Sequence, residues 1–247
     1  MVHDVGEHRR HHNRIATAVS SLQVPKVIAT FLRAANTCDI VALVKTFADD
    51  AVLTDMGRQL QGDGLRRWAD GLFGDANAAV HPIDATEREG RTLLSVIIHG
   101  TKPAARAYLR RNWRFTLDGG RIAALDIAEA KEPDLPSPVA AFVQSTNACD
   151  LEGLMAVFSE DAMVNDDLQE RWGKAAIRKW AEEEFIGQRV TIFVVKCIEH
   201  HRIVTITAYV DGDFDRRGLP YPLVLTFYFS LDSDDVVQLI ILRNQPN

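Results

Sequence analysis

The feature that most constrains this chain is an internal repeat. Residues 36–55, NTCDIVALVKTFADDAVLTD, return without a gap as residues 147–166, NACDLEGLMAVFSEDAMVND, and eight of the twenty positions are identical. Most of the others keep their apolar or polar character. Cys38 and Cys149 are equivalent, so the period is 149 − 38 = 111 residues. A period of that size is a whole domain. The 247 residues therefore divide into two copies of one domain, each with enough chain for its own core. Each copy of the stretch closes on an acid, Asp55 or Asp166.

Around the repeat the pattern reads the same way twice. Val27, Ile28, Phe31, Leu32 and Ala35 recur at helical spacing after Pro25, a favourable first-turn residue. Asp39 can cap a second short helix carrying Ile40, Leu43, Val44 and Phe47. Ala51–Thr54 reads as a short strand leading to Asp55, and Gly62 opens a third helix with Leu65, Trp68 and Leu72 on one stripe. Beyond Gly74 strands are expected at about 78–87, 91–101, 105–117 and 121–129, with Asp118-Gly119-Gly120 as a hairpin turn. The second copy is expected to place helices near 138–147, 151–158 and 174–185 and strands near 189–200, 202–214, 220–231 and 235–243. Helices first and hairpin-linked strands after them predict an α+β fold with a mostly antiparallel sheet in each domain. The organisation is thus a polar tail (1–22), a first domain (23–131), a Pro-rich linker (132–138) and a second domain (139–247).

Composition narrows the function classes. No apolar run reaches the roughly 18 residues of a membrane span. The first twenty residues are polar and His-rich, unlike a secretory signal, so a cytoplasmic location is expected. His8, His11 and His12 lack acidic or Cys partners at ligand spacing, and no metal or cofactor is expected. Three cysteines exclude a disulfide framework; Cys38 and Cys149 suit small buried apolar positions. The net charge of −6 is unevenly spread. Residues 25–131 hold 15 basic and 13 acidic groups, and residues 132–247 hold 10 and 19. The two copies share a hydrophobic frame but differ in electrostatics, as divided roles would require. The basic run Arg106, Arg110, Arg111, Arg114 lacks the interleaved aromatics of nucleic-acid binders, so no nucleic-acid partner is expected.

The order helix, Asp-capped helix, FADDAVLTD, G…LRRW, then strands ending in WRFTLDGGRI resembles the nuclear transport factor 2-like superfamily, in its ketosteroid-isomerase and polyketide-cyclase (SnoaL-like) branch. The resemblance covers residues 25–130 and 136–243. It implies two tandem cone-shaped domains, each a curved sheet wrapped around three helices with an apolar pocket. It also implies pairing through the sheets, either as a pseudo-dimer within the chain or as a homodimer. In that family the acid ending the FADDA stretch is the general base, which places the role on Asp55 and, in the second copy, Asp166. Two departures stand beside it. The position of the family's Tyr oxyanion donor holds Phe31 and Phe142, and that of its second, acidic donor holds Arg111 and Leu225. The steroid-isomerase mechanism is therefore not carried over with the fold.

The residues themselves support a pocket in the first copy. Asp55, among apolar neighbours, has the desolvated setting that suits acid/base chemistry; a turn or capping acid is the other reading. On a strand Leu109, Arg111, Trp113 and Phe115 share one face and Arg110, Asn112 and Arg114 the other. Arg111 thus faces the pocket if the aromatics do, paired with Asp55 or with an anionic ligand, and a one-residue slip would put Arg110 inside instead. His81 is a second proton-transfer candidate, or a residue at a strand edge or bulge beside Pro82. Trp68 and its equivalent Trp180 are expected to line the pocket mouth, with Trp113, Phe31 and Phe115 shaping the wall. The second copy sets Asp166 against Leu225, Phe227 and Phe229, and a degenerate pocket is expected there. The expected function is a cofactor-independent isomerase, cyclase, dehydratase or epoxide-opening enzyme acting on a small apolar or anionic molecule. The alternative is a non-catalytic ligand-binding or dimerisation module.

Overall fold

The computed structural model describes residues 22–75, 78–100 and 108–243. The His-rich tail, with His8, His11 and His12, lies outside the described residues. The chain separates into two compact units between Lys131 and Glu132. In the first, α1 (Lys26–Asn36), α2 (Ile40–Val44) and α3 (Asp63–Ala69) accompany strands β1 (Phe47–Asp55), β2 (Arg58–Leu60), β3 (Ala78–Arg88), β4 (Arg91–Gly100), β5 (Tyr108–Asp118) and β6 (Arg121–Glu129). In the second, α4 (Ser137–Asn147), α5 (Leu151–Ala156) and α6 (Gly173–Trp180) accompany β7 (Phe158–Asp166), β8 (Gln169–Trp172), β9 (Thr191–His200), β10 (Ile203–Asp211), β11 (Leu223–Asp232) and β12 (Asp235–Arg243). Both six-stranded sheets have the same order, β2-β1-β6-β5-β4-β3 and β8-β7-β12-β11-β10-β9. All neighbours are antiparallel except β1 with β6 and β7 with β12. Two tandem α+β domains of one topology are thus established. No helix among the described residues is long and apolar enough to cross a membrane.

Each repeat stretch builds the corner on which its helices meet its sheet. Asn36 ends α1 and spans to β3: its Nδ2 donates to the Val80 carbonyl at 2.9 Å, and Val80 N–H donates to its Oδ1 at 2.7 Å. Asn147 makes the same double bond with Ile192, at 3.0 and 2.7 Å. Asp39 and Asp150 then cap α2 and α5 by accepting from Ala42 N–H at 2.9 Å and Gly153 N–H at 3.0 Å. Between these anchors Cys38 and Cys149 take left-handed φ values of 53° and 54°. Cys38 is half-buried and Cys149 exposed, so the buried apolar role expected for them is corrected: they occupy a backbone turn between two helices. Asn36→Ala is expected to cost about 3 kcal/mol, because it strands two buried backbone groups of β3. Asn147→Ala, at a more exposed position, should cost less. Urea unfolding of the two variants measures the difference.

Alternation along β5 fixes which side chains enter the core. Trp113 and Phe115 are fully buried and pack with Phe31, Phe47, Leu94, Leu125 and Ile127. Phe31 sits at the centre, 5.7 Å from the Phe47 ring, 5.7 Å from Trp113 and 5.6 Å from Phe115, each edge to face. Phe142 has the matching role in the second core, against Phe158, Phe185, Phe227 and Phe229. Both third helices loosen into a π-helical turn, Asp70–Asp75 with one residue, Ala69, between it and Trp68, and Ala181–Phe185 directly after Trp180.

Candidate functional site

Asp55 is the last residue of β1. Met56 and Gly57 turn the chain with positive φ values of 49° and 85°, and β2 returns with Arg58 opposite Asp55. The β2 and β8 hairpin strands were not foreseen: three or four residues are too short to show an alternation. Trp68, on α3, is half-buried and reaches back to the acid, its indole Nε1–H donating to Asp55 Oδ2 at 3.1 Å. The second domain repeats the arrangement, with Trp180 Nε1–H donating to Asp166 Oδ2 at 3.1 Å. The acid and the tryptophan were each singled out by the sequence; their direct bond was not, since their spacing of 13 residues in one copy and 14 in the other crosses a turn and a strand.

Sheet register sets the neighbours of each acid. Asp55 pairs with Ile127, Ile127 with Trp113, Trp113 with Leu94 and Leu94 with Ala85, one row on the core face. In the second domain the row is Asp166, Ile241, Phe227, Ile206 and Cys197. One substitution within these rows changes their chemistry. Trp113 is fully buried, and its Nε1–H has no hydrogen-bond partner among the described residues. A buried donor without a partner is costly, and Phe227 avoids that cost in the second domain.

Arg111 lies two residues along β5 from Trp113, on the same face, half-buried and opposite Val96 and Glu129. Its guanidinium donates to the Arg110 carbonyl at 2.8 Å, and among the described residues it forms no ion pair with Asp55. Arg110 takes the opposite face and is itself buried. His81 requires a correction. Val80 enters the core, so His81 points to the other side of the sheet, away from Asp55. There it stacks on His99 with ring centroids 4.9 Å apart and Nε2 atoms 2.8 Å apart. A bulge between Pro82 and Asp84 restores Ala85 to the Asp55 row only after His81 has passed. The fold brings Asp55, Trp68, Trp113 and Arg111 to one face and leaves His81 out. Phe31 and Phe115 pack edge to face in the core beneath that face.

The second site is less bare than its apolar face implied. Arg171 of β8 occupies the position of Leu60, donates to the Asp166 carbonyl at 3.3 Å and pairs with Glu184 at 2.8 Å. Burial pushes the Asp166 carboxyl above the usual carboxylate range, and the Trp180 hydrogen bond and the Arg171 charge oppose that shift only in part. A raised folded-state value means that Asp166 favours folding fully only below the unfolded carboxylate range near ~3.9. That contribution is lost as pH rises through the folded value. Asp166→Asn is therefore expected to raise the second domain's melting transition at neutral pH and to lose the advantage at about pH 3, well into the protonated range. Calorimetry at the two pH values checks both halves.

Among the described residues no group of three or more His, Cys, Asp or Glu is placed to hold a metal ion. A family model, the SnoaL-like domain, matches residues 139–239. Among solved structures the chain is similar to a Sinorhizobium meliloti protein assigned as a polyketide cyclase, at 23% identity and a TM-score of 0.39, covering 44% of this chain and 96% of that one. It is similar to a Catenulispora acidiphila protein of ketosteroid isomerase-like fold, in complex with trimethylamine, at 17% identity and a TM-score of 0.38 over 44% and 86% of the two chains. A Mycobacterium tuberculosis protein in complex with estradiol-17β-hemisuccinate matches at 15% identity and a TM-score of 0.37 over 44% and 95%. No curated protein matches the chain. The second domain thus matches the SnoaL-like domain, and the first domain repeats its strand order and its acid–indole pair.

Proposed function

We propose that the first domain binds a small apolar or weakly anionic molecule against the Asp55 row and moves a proton with the Asp55 carboxylate. The observation that carries this reading is the buried Trp113 indole N–H, without a hydrogen-bond partner among the described residues and on the same sheet row as Asp55. A ligand carbonyl or hydroxyl oxygen would satisfy that donor. Asp55, held by Trp68, would then take a proton from the adjacent carbon, and the negative charge developing on the oxygen would meet Trp113 Nε1–H and the Arg111 guanidinium. This is the chemistry of a cofactor-independent isomerase, cyclase or dehydratase. The test is deuterium exchange at the α-carbons of small cyclic ketones and keto acids in D2O. Exchange with the wild type and the Asp166→Asn variant, absent with Asp55→Asn, supports the reading. Equal exchange by all three overturns it.

A second reading is favoured by one observation. The Phe31, Phe47, Trp113 and Phe115 rings fill the base of the first core edge to face. A cone closed to that depth suits a shallow ligand-binding module without turnover. Saturable ketone binding with no exchange would identify that case.

A further inference from the structure

Away from the Asp55 face, the first domain carries a second concavity. A cleft of about 460 Å³ is lined by Lys26, Thr30, Lys45, Thr46 and Arg121, with Val27 and Ala42 as its apolar part. Three elements deliver the cations: the first turn of α1, the residue closing α2 and the start of β6 beyond the Gly119-Gly120 turn. Lys26, Lys45 and Arg121 are all exposed. Among the described residues the carboxylate bonded to them is Asp49, which accepts from Arg121 at 2.8 Å with its own side chain almost wholly in solvent. The two hydroxyls are committed as donors to backbone carbonyls, Thr30 to Lys26 at 2.9 Å and Thr46 to Leu43 at 2.6 Å. Charge, not hydroxyl donation, is what the cleft offers a ligand.

The repeat supplies an internal control. Ile122 pairs with Phe47 and Val236 with Phe158, so Arg121 and Asp235 are equivalent. Lys26 and Ser137 each open an 11-residue helix. Lys45 and Ala156 each stand two residues before the paired phenylalanine. On one shared backbone, Lys, Lys and Arg in the first domain correspond to Ser, Ala and Asp in the second. Three charge changes at one location, inside a protein of net charge −6, separate this cleft from a general basic surface.

We infer that the first-domain cleft is an anion-binding site for a small molecule carrying two or more negative groups, carboxylate or phosphate, on a compact apolar body. Its volume lies in the range of small-molecule sites. The apolar part accommodates the body, and three cations from three elements hold separate anionic groups with charge-assisted hydrogen bonds. The second domain, with Asp235 at the position of Arg121, repels the same ligand.

The test is calorimetric titration of the full chain with pyrophosphate and, separately, citrate at low ionic strength. A triple variant, K26S/K45A/R121D, writes the second domain's residues into the first. All three positions are exposed, and an unchanged melting temperature verifies the fold. The expected result is saturable one-site binding by the wild type, weakened roughly tenfold or more in the triple variant because three charge-assisted contacts are removed. Asp55→Asn should bind as the wild type does, which separates this site from the proton-transfer reading. A preference for pyrophosphate or for citrate distinguishes a phosphate from a carboxylate ligand. Absence of saturation, affinity within about twofold in the triple variant, or an equal loss in an Arg88→Ser/Arg91→Ser control would each overturn the site; twofold is well under one charge-assisted contact.

Discussion

Phe31→Ala is expected to destabilise the first domain by about 3–5 kcal/mol, the usual cost of truncating a buried aromatic ring. Phe31 has no exposed surface and stands edge to face against three other rings, Phe47, Trp113 and Phe115. These partners come from β1 and β5, so the helix and the sheet cannot close over the gap without shifting the strands that carry Asp55 and Trp113. For a domain of this size the loss corresponds to a fall in Tm on the order of 10–25 °C. The effect should be confined to one of two thermal transitions, because the second domain has a separate core centred on Phe142. Phe142→Ala should move the other transition by a similar amount. Differential scanning calorimetry reads both. A single transition lowered equally by either substitution would show that the two cores melt as one unit.

Asp55→Asn is expected to lower α-proton exchange by roughly 10²–10⁴-fold, the range for removing one placed acid/base. The substitution keeps shape and keeps an oxygen to accept from Trp68, so the fold should be unchanged. Trp68→Phe removes the bond that fixes the carboxylate at 3.1 Å and should give a smaller loss of exchange. Loss of exchange without loss of ligand binding assigns Asp55 to the chemistry. Loss of both would assign it to holding the ligand.

The architecture was legible because it is written twice. One twenty-residue stretch with matched spacing places Asp39 and Asp150 in caps and Asp55 and Asp166 at strand ends, whereas Phe47, expected on the second helix, instead opens β1. The aromatic face of β5 was equally readable, because residues 109–115 alternate and strands have a period of two. The face of His81 was not, because β3 begins with five buried residues in succession and its bulge lies beyond Pro82. A continuous buried run carries no phase from which to tell the core face from the other. The surroundings of Asp166 were missed for a different reason. Arg171 and Glu184 replace residues of unlike character, and they meet only because β8 folds back beside the end of α6. The anionic balance of the second half pointed to divergence, and the structure locates part of it in the Ser137, Ala156 and Asp235 positions.

A ligand held on the first-domain row is reported directly by the indole N–H groups. The chain has four tryptophans, Trp68, Trp113, Trp172 and Trp180, and each gives one resolvable indole signal in a 15N correlation spectrum. Titration with a small cyclic ketone is predicted to shift Trp113 first, as its unpartnered donor gains an acceptor, and Trp68 with it, leaving Trp180 in place. A shift of Trp180 with Trp113 unmoved would contradict binding at this row and assign the ligand to the second domain.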